Sequence, residues 1–319
     1  MKAVGFDAPG GPGVLRVLDL PVPEPGPGEV RVRVHGATVN PADTLVRAGA
    51  AGPRGLPGPH VPGLEVAGVV DATGEGVTRL AAGDPVMALT LPLRPHRGGY
   101  AEYVVLPEPH AVRAPAGLTL TEAATLPMNG LTALRAIEVL GLGAGTTAAV
   151  TGAAGAFGGY FTELCVLAGI RVVADAAPAD EALVRALGAD VVARRGAAYV
   201  ADVLDAAPGG VDGLADGALL GTPVLDAVAD GGTYTSLRTP GEPGTRPLPD
   251  PAPRGLAYRS LQFYEIADPT AALGRLAEAA GAGRLTPRIA EVITPEDVPR
   301  AHEALAAGGV RGRFVLGFG

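Results

Sequence analysis

Short apolar runs of period two fill the first hundred residues. Val30, Val32 and Val34 alternate with Arg31, Arg33 and His35, the pattern of a strand with one buried and one wet face. His35 is therefore expected in solvent. Residues 1–6, 14–18, 61–70 and 100–106 read as further strands, separated by turn signals such as Pro9-Gly10-Gly11-Pro12-Gly13. The texture changes at Thr121, which is expected to cap a helix with Glu122 in its first turn. A second helix is expected over residues 132–140. Further on, helices are expected over 181–187, 271–280 and 295–307, with strands at 188–192, 288–293 and 313–316. The strand texture returns at the chain end, so a β domain built from residues 1–121 and 258–319 should enclose an α/β domain at 122–257.

Residues 146–175 carry the strongest chemical signal. Residues 147–150 are small or β-branched and suit a buried strand. Gly152-Ala153-Ala154-Gly155-Ala156-Phe157-Gly158 is a turn with few side chains, 160–168 a helix, and 171–174 a second strand closed by Asp175. Strand, turn, helix and strand make a right-handed βαβ unit, the start of a Rossmann-type doubly wound parallel sheet. Small residues let backbone N–H groups approach a pyrophosphate, and the new helix points its positive end there. An acid about 20 residues past the turn can hold a ribose hydroxyl. Gly152, Ala154, Gly155, Ala156, Phe157, Gly158 and Asp175 are the candidate dinucleotide-binding residues. A tight βα turn without a ligand is the alternative.

Composition narrows the classes. A chain of 319 residues with 47% hydrophobic content can bury a large core, despite Gly 48 and Pro 31. A formal charge of −8 disfavours nucleic acid as a partner. Cys165 is the single cysteine, so no intrachain disulfide can form; its apolar surroundings mark it as core. The sequence shows no charged and apolar leader and no apolar run near 18 residues, so a soluble, cytoplasmic protein is expected.

Several motifs then combine: Val39-Asn40-Pro41-Ala42-Asp43 with Arg47 and Gly49; Pro62-Gly63-Leu64-Glu65-Val66-Ala67-Gly68-Val69-Val70; and Gly98-Gly99-Tyr100-Ala101-Glu102-Tyr103-Val104. Asn129-Gly130-Leu131-Thr132-Ala133, Leu187-Gly188-Ala189-Asp190 and Arg311-Gly312-Arg313 follow. In this order the chain resembles the medium-chain dehydrogenase/reductase superfamily, in its zinc-independent quinone oxidoreductase branch. The resemblance implies a mainly-β GroES-like catalytic domain with the Rossmann domain inserted into it.

The resemblance also tells against metal. The zinc enzymes of that superfamily carry a cysteine and a histidine where Thr38 and Leu64 stand. Glu65 alone survives, and a catalytic zinc needs about three protein ligands. No metal is expected, and Glu65 should be a buried, hydrogen-bonded acid. The implied reaction is hydride transfer from a reduced nicotinamide to a quinone or other conjugated enone. Asn40, Asp43 and Thr132 are the implied catalytic residues, with Asn40 and Thr132 also near the nicotinamide and Phe263 contacting the cofactor. Asn40 can instead make an Asx turn before Pro41, and Asp43 a helix cap. NADP(H) is favoured over NAD(H) on family habit and on Arg195, while Asp175 argues the other way. A homodimer acting on a small molecule is expected, with no nucleic acid or membrane partner. Leu45 stands where some relatives have a tyrosine, and Phe157 enlarges the turn. A basic loop with Arg94, His96 and Arg97 is a further departure. A dinucleotide-binding module with little turnover is the competing function.

Overall fold

The alternating run at Val30–Val34 sits in a strand that anchors one whole sheet. The computed structural model describes residues 1–51, 58–90, 98–242 and 245–318; Arg94, His96 and Arg97 lie outside the described residues, as does the side chain of Phe263. Strands β1 (Lys2–Gly5) and β2 (Arg16–Asp19) pair antiparallel as a small sheet of their own. Next come β3 (Glu29–Thr38), β4 (Glu65–Thr73), β5 (Pro85–Leu89), β6 (Tyr103–Pro107) and β7 (Ala111–Arg113). With β14 (Ile289–Ile293) and β15 (Arg313–Gly317) from the chain end they form a seven-stranded sheet. Its order is β14-β15-β3-β4-β5-β7, with β6 also on β3. The β14–β15 pair is parallel and the others antiparallel. Val30, Val32 and Val34 face the core, while Arg33 and His35 are exposed, as the period of two requires.

The inserted segment carries β8 (Thr147–Thr151), β9 (Arg171–Ala176), β10 (Val191–Arg194), β11 (Val211–Asp216), β12 (Val228–Ser236) and β13 (Ala257–Arg259). They run parallel in the order β10-β9-β8-β11-β12-β13, the doubly wound arrangement. The strand order reverses between β8 and β11, and ligands of such sheets bind beyond the strand ends at that point. A buried cluster that includes Ala149, Val173, Leu214, Val228 and Tyr234 forms a core of this segment.

Eight α-helices complete the described residues: α1 (Pro41–Arg47), α2 (Leu120–Ala123), α3 (Pro127–Val139), α4 (Ala156–Leu167), α5 (Glu181–Ala186), α6 (Tyr199–Ala206), α7 (Pro269–Gly281) and α8 (Val298–Ala307). Two compact units result: Met1–Met128 with Asp268–Gly283 and Pro287–Gly319, and Asn129–Ala267 with Arg284–Thr286. Met128, where the first stretch of the first unit ends, donates its amide to Glu65 Oε2 at 2.7 Å. Among the described residues no helix is long and apolar enough to cross a membrane.

Several helix starts differ from the sequence expectation: α3 begins at Pro127 instead of 132, α7 at Pro269 instead of 271 and α8 at Val298 instead of 295, while α2 and α4 differ for a local reason. Helix α2 is capped by Thr119, not Thr121. Its Oγ1 accepts from the Glu122 amide at 3.2 Å, and Glu122 Oε2 accepts from the Thr119 amide at 2.8 Å. That reciprocal T-x-x-E box satisfies two orphan donors, which Thr121 cannot do. Helix α4 starts at Ala156 instead of 160, because the end of the glycine turn is already helical and Gly155 is its N-cap.

Candidate functional site

The registers of the large sheet bring three strand ends together. Ala37 lies opposite Val66 on β4, and Thr38 opposite Val315 on β15. Glu65, at the start of β4, is wholly buried there. Arg313 Nη2 donates to Glu65 Oε1 at 2.8 Å, to Thr38 Oγ1 at 2.9 Å and to Asn40 Oδ1 at 2.6 Å. Asn40 Nδ2 donates to Glu65 Oε1 at 3.1 Å, and the Thr38 hydroxyl also donates to that oxygen. Glu65 is thus the buried, hydrogen-bonded acid expected from the sequence. A cation sits at the amide oxygen of Asn40 and an anion at its nitrogen, which fixes the orientation of this buried side chain. The same donor set does not fit zinc. Thr38 and Leu64 offer no ligand of the required kind, and Glu65 already balances a guanidinium. Among the described residues no group of three or more His, Cys, Asp or Glu is placed to hold a metal ion.

A second buried network adjoins the first in the chain. Asp43 Oδ2 accepts from the Asn40 amide at 2.8 Å and from the Tyr100 hydroxyl at 3.0 Å, and Oδ1 accepts from the Gly63 amide at 2.9 Å. The bond to Asn40 is the capping role at the start of α1. Tyr100 OH lies 3.3 Å from His302 Nε2, and His302 Nδ1 lies 3.5 Å from Arg47 Nη1. Arg47 can only donate, so Nδ1 accepts and the His302 proton sits on Nε2. The donors then run in one direction, from Arg47 through His302 and Tyr100 to Asp43. Burial pushes the Asp43 carboxyl up to about 6, against the pull of its amide donors. Burial, helped by Arg47, pushes the His302 imidazole down to about 4.

These shifts give opposed pH dependences. His302 titrates in the folded chain below its ordinary 6.5, so its contribution is complete above that pH and is lost as pH falls towards 4. Asp43 titrates above its ordinary 3.8, so its contribution is lost as pH rises towards 6. His302→Gln should remove the first without the second. Its unfolding free energy should fall less on acidification from pH 7 than the parent's, by up to about 3 kcal/mol. Urea unfolding at pH 7 and 4.5 measures this; the same acid loss in both proteins would refute it.

In the second unit the glycine turn ends β8 and opens α4. Gly155 caps α4 without a side chain. A Cβ on Gly158 would lie 2.4 Å from the Gly152 carbonyl oxygen and 2.6 Å from Ala153 Cα, so glycine is obligatory there. A Cβ on Gly155 would be 3.0 Å from the same oxygen, a milder conflict. Gly152 and Ala156 are half-buried and Ala154 is buried. Phe157 is buried, its ring 5.9 Å from that of Phe161 and in line with a Cβ built on Gly217. The ring packs into the unit.

Asp175, at the end of β9, points into the turn. Its Oδ1 accepts from the Ala153 amide at 2.9 Å and its Oδ2 from Arg195 Nε at 2.9 Å. Arg195 Nη1 is also 3.9 Å from Asp180 Oδ2, and its side chain is 38% exposed. Turn, helix start, acid and arginine thus lie together at the end of β8, where the strand order reverses. Thr132 is buried on α3.

Comparison with known proteins identifies the family. Residues 26–116 match the Alcohol dehydrogenase GroES-like domain family and residues 187–316 the Zinc-binding dehydrogenase family. A crystal structure described as an NAD-dependent alcohol dehydrogenase is 34% identical over 100% of both chains, with a TM-score of 0.87. The chain belongs to the medium-chain dehydrogenase/reductase superfamily. Within that superfamily it is quinone-oxidoreductase-like. It is 36% identical over 201 residues to a chloroplast envelope quinone oxidoreductase homolog of Arabidopsis thaliana, covering 60% of this chain and 60% of that relative. The match therefore spans less than two thirds of the relative's own length. A mycobacterial protein solved in complex with NADPH is 28% identical over 100% of both chains, with a TM-score of 0.85. The second family's name mentions zinc, but the residues at Thr38, Leu64 and Glu65 do not supply a site for it.

Sequence reasoning missed Arg313 as a partner of Asn40, although Arg311-Gly312-Arg313 was among the superfamily motifs. It also missed Tyr100 and His302 behind Asp43. Nothing local marks them, since their partners lie far away in the chain.

Proposed function

We propose that the protein reduces quinones or other conjugated enones with a reduced nicotinamide dinucleotide, without zinc. When bound, the cofactor supplies the hydride. The carrying observation is the Glu65–Arg313–Asn40 cluster. Its charges balance each other and leave no Lewis acid to activate a simple alcohol or carbonyl. A conjugated acceptor needs none. Hydride adds to its ring or β carbon, the π electrons move onto oxygen, and solvent supplies the proton. The chain's part is then mostly positioning. Asn40 offers an oriented amide to a carboxamide or substrate carbonyl, Asp43 holds the Asn40 backbone, and Thr132 serves the nicotinamide ribose. Oxidation of NADPH with and without a simple benzoquinone tests the reading. Dinucleotide binding with no quinone-dependent oxidation would leave a binding module instead.

The favoured cofactor is NADP(H). Arg195 neutralises Asp175, so the acid that would repel a 2′-phosphate is already paired, and the half-exposed guanidinium is available to that phosphate. Arg195→Ala should lower the ratio of NADPH to NADH affinity by about tenfold, the worth of one charge-assisted bond. A parent that prefers NADH would instead assign Asp175 to the ribose hydroxyls.

A further inference from the structure

Asp216 has no part in the functional reading so far. It ends β11 directly opposite Thr151 at the end of β8, where the strand order reverses. It is wholly buried, and a buried carboxylate is costly unless several donors surround it. Three do. Thr151 Oγ1 donates to Asp216 Oδ1 at 2.5 Å, and Oδ2 accepts from the Tyr234 hydroxyl and from the Gly221 amide, both at 2.7 Å. Thr151 Oγ1 in turn accepts from the Ala218 amide at 3.0 Å. Asp216 and Thr151 therefore tie both ends of the segment 218–221 that follows β11.

Two more observations show that this segment is held in a chosen shape. Leu219, between the tied ends, has φ 58°, a left-handed conformation that is unfavourable for a residue with a Cβ. The segment also lies backbone to backbone on the glycine turn. A Cβ on Gly217 would fall 2.6 Å from the Thr151 carbonyl oxygen, and one on Gly152 would fall 3.2 Å from Gly217 C. An apolar residue at 216 would fill the core at lower cost, yet the chain keeps a fully satisfied acid and a strained leucine beside the turn.

We infer that Asp216 is a positioning residue: with Thr151 it holds 217–221 against the glycine turn and thereby sets dinucleotide affinity. This rests on the dinucleotide reading of that turn. Thr151→Val keeps the shape of the side chain and deletes the hydroxyl that links Asp216 to Ala218, while Thr151→Ser keeps the hydroxyl. NADPH is titrated into each protein by its fluorescence, with thermal unfolding followed in parallel. Thr151→Val should bind NADPH about tenfold more weakly, with Thr151→Ser equal to the parent. If Thr151→Val does not fold, Tyr234→Phe, which removes one donor from Asp216, is read in the same way. A folded Thr151→Val or Tyr234→Phe that binds as tightly as a binding-competent parent overturns the positioning role alone. A parent that binds neither NADPH nor NADH overturns the dinucleotide reading and this inference together; a parent that binds only NADH is titrated with NADH in the same way.

Discussion

Arg313→Met should destabilise the first unit by about 3–5 kcal/mol, because it strands Glu65 as a buried, uncompensated charge. The loss is not the worth of the ion pair. It is the cost of leaving one partner in the interior with Thr38, Asn40 and the Met128 amide as its remaining neighbours. The double variant Glu65→Gln/Arg313→Met removes both charges and should recover most of that stability. Chemical unfolding of parent, both single variants and the double variant gives the coupling. If Arg313→Met alone is no worse than the double variant, the pair is not coupled and Asn40 owes its orientation to something else.

Gly158→Val should be strongly damaging to the second unit. Its side chain would start 2.4 Å from one backbone oxygen and 2.6 Å from a backbone carbon, and neither belongs to a flexible side chain. Overpacking of a fitted interior costs typically 1–3 kcal/mol, and rigid backbone at both contacts places this site at or above the upper end. The turn must open for the helix to keep its start, so NADPH binding should be lost even where the unit stays folded. Gly155→Ala, with its milder contact, should retain binding more fully. Thermal unfolding and NADPH titration of the two variants decide it; a Gly158→Val protein with parental affinity would show that the turn is not the dinucleotide site.

Much of the architecture was legible because it rests on local rules. The period of two at Val30–Val34 gave β3 and the exposure of His35, and the order strand, glycine turn, helix, strand gave β8, α4 and β9. Boundaries were less legible where two signals competed. Thr121 looked like a cap, but Thr119 has the acid three residues on that makes the bond reciprocal. Asp175 and Arg195 were both visible as charges near one turn, yet their pairing depended on side-chain direction, which strand alternation does not settle. Gly155 was singled out for close approach, whereas Gly158 has the tighter neighbours, because the crossing of helix and strand decides it. Arg313 and His302 were illegible as site residues for a different reason: their partners come from the other end of the chain.

That distance has a consequence for how the protein is made. Glu65 and Arg313 are separated by 248 positions in sequence. Asp43 and Tyr100 likewise wait for His302, which follows the whole parallel sheet. As the chain leaves the ribosome, the inserted sheet has all six strands before the N-terminal one has its last two. Until β15 arrives, Glu65 lacks the guanidinium that it pairs with in the folded chain. The Glu65 cluster can therefore close only after Arg313 has been made, so the first sheet is completed after the inserted one.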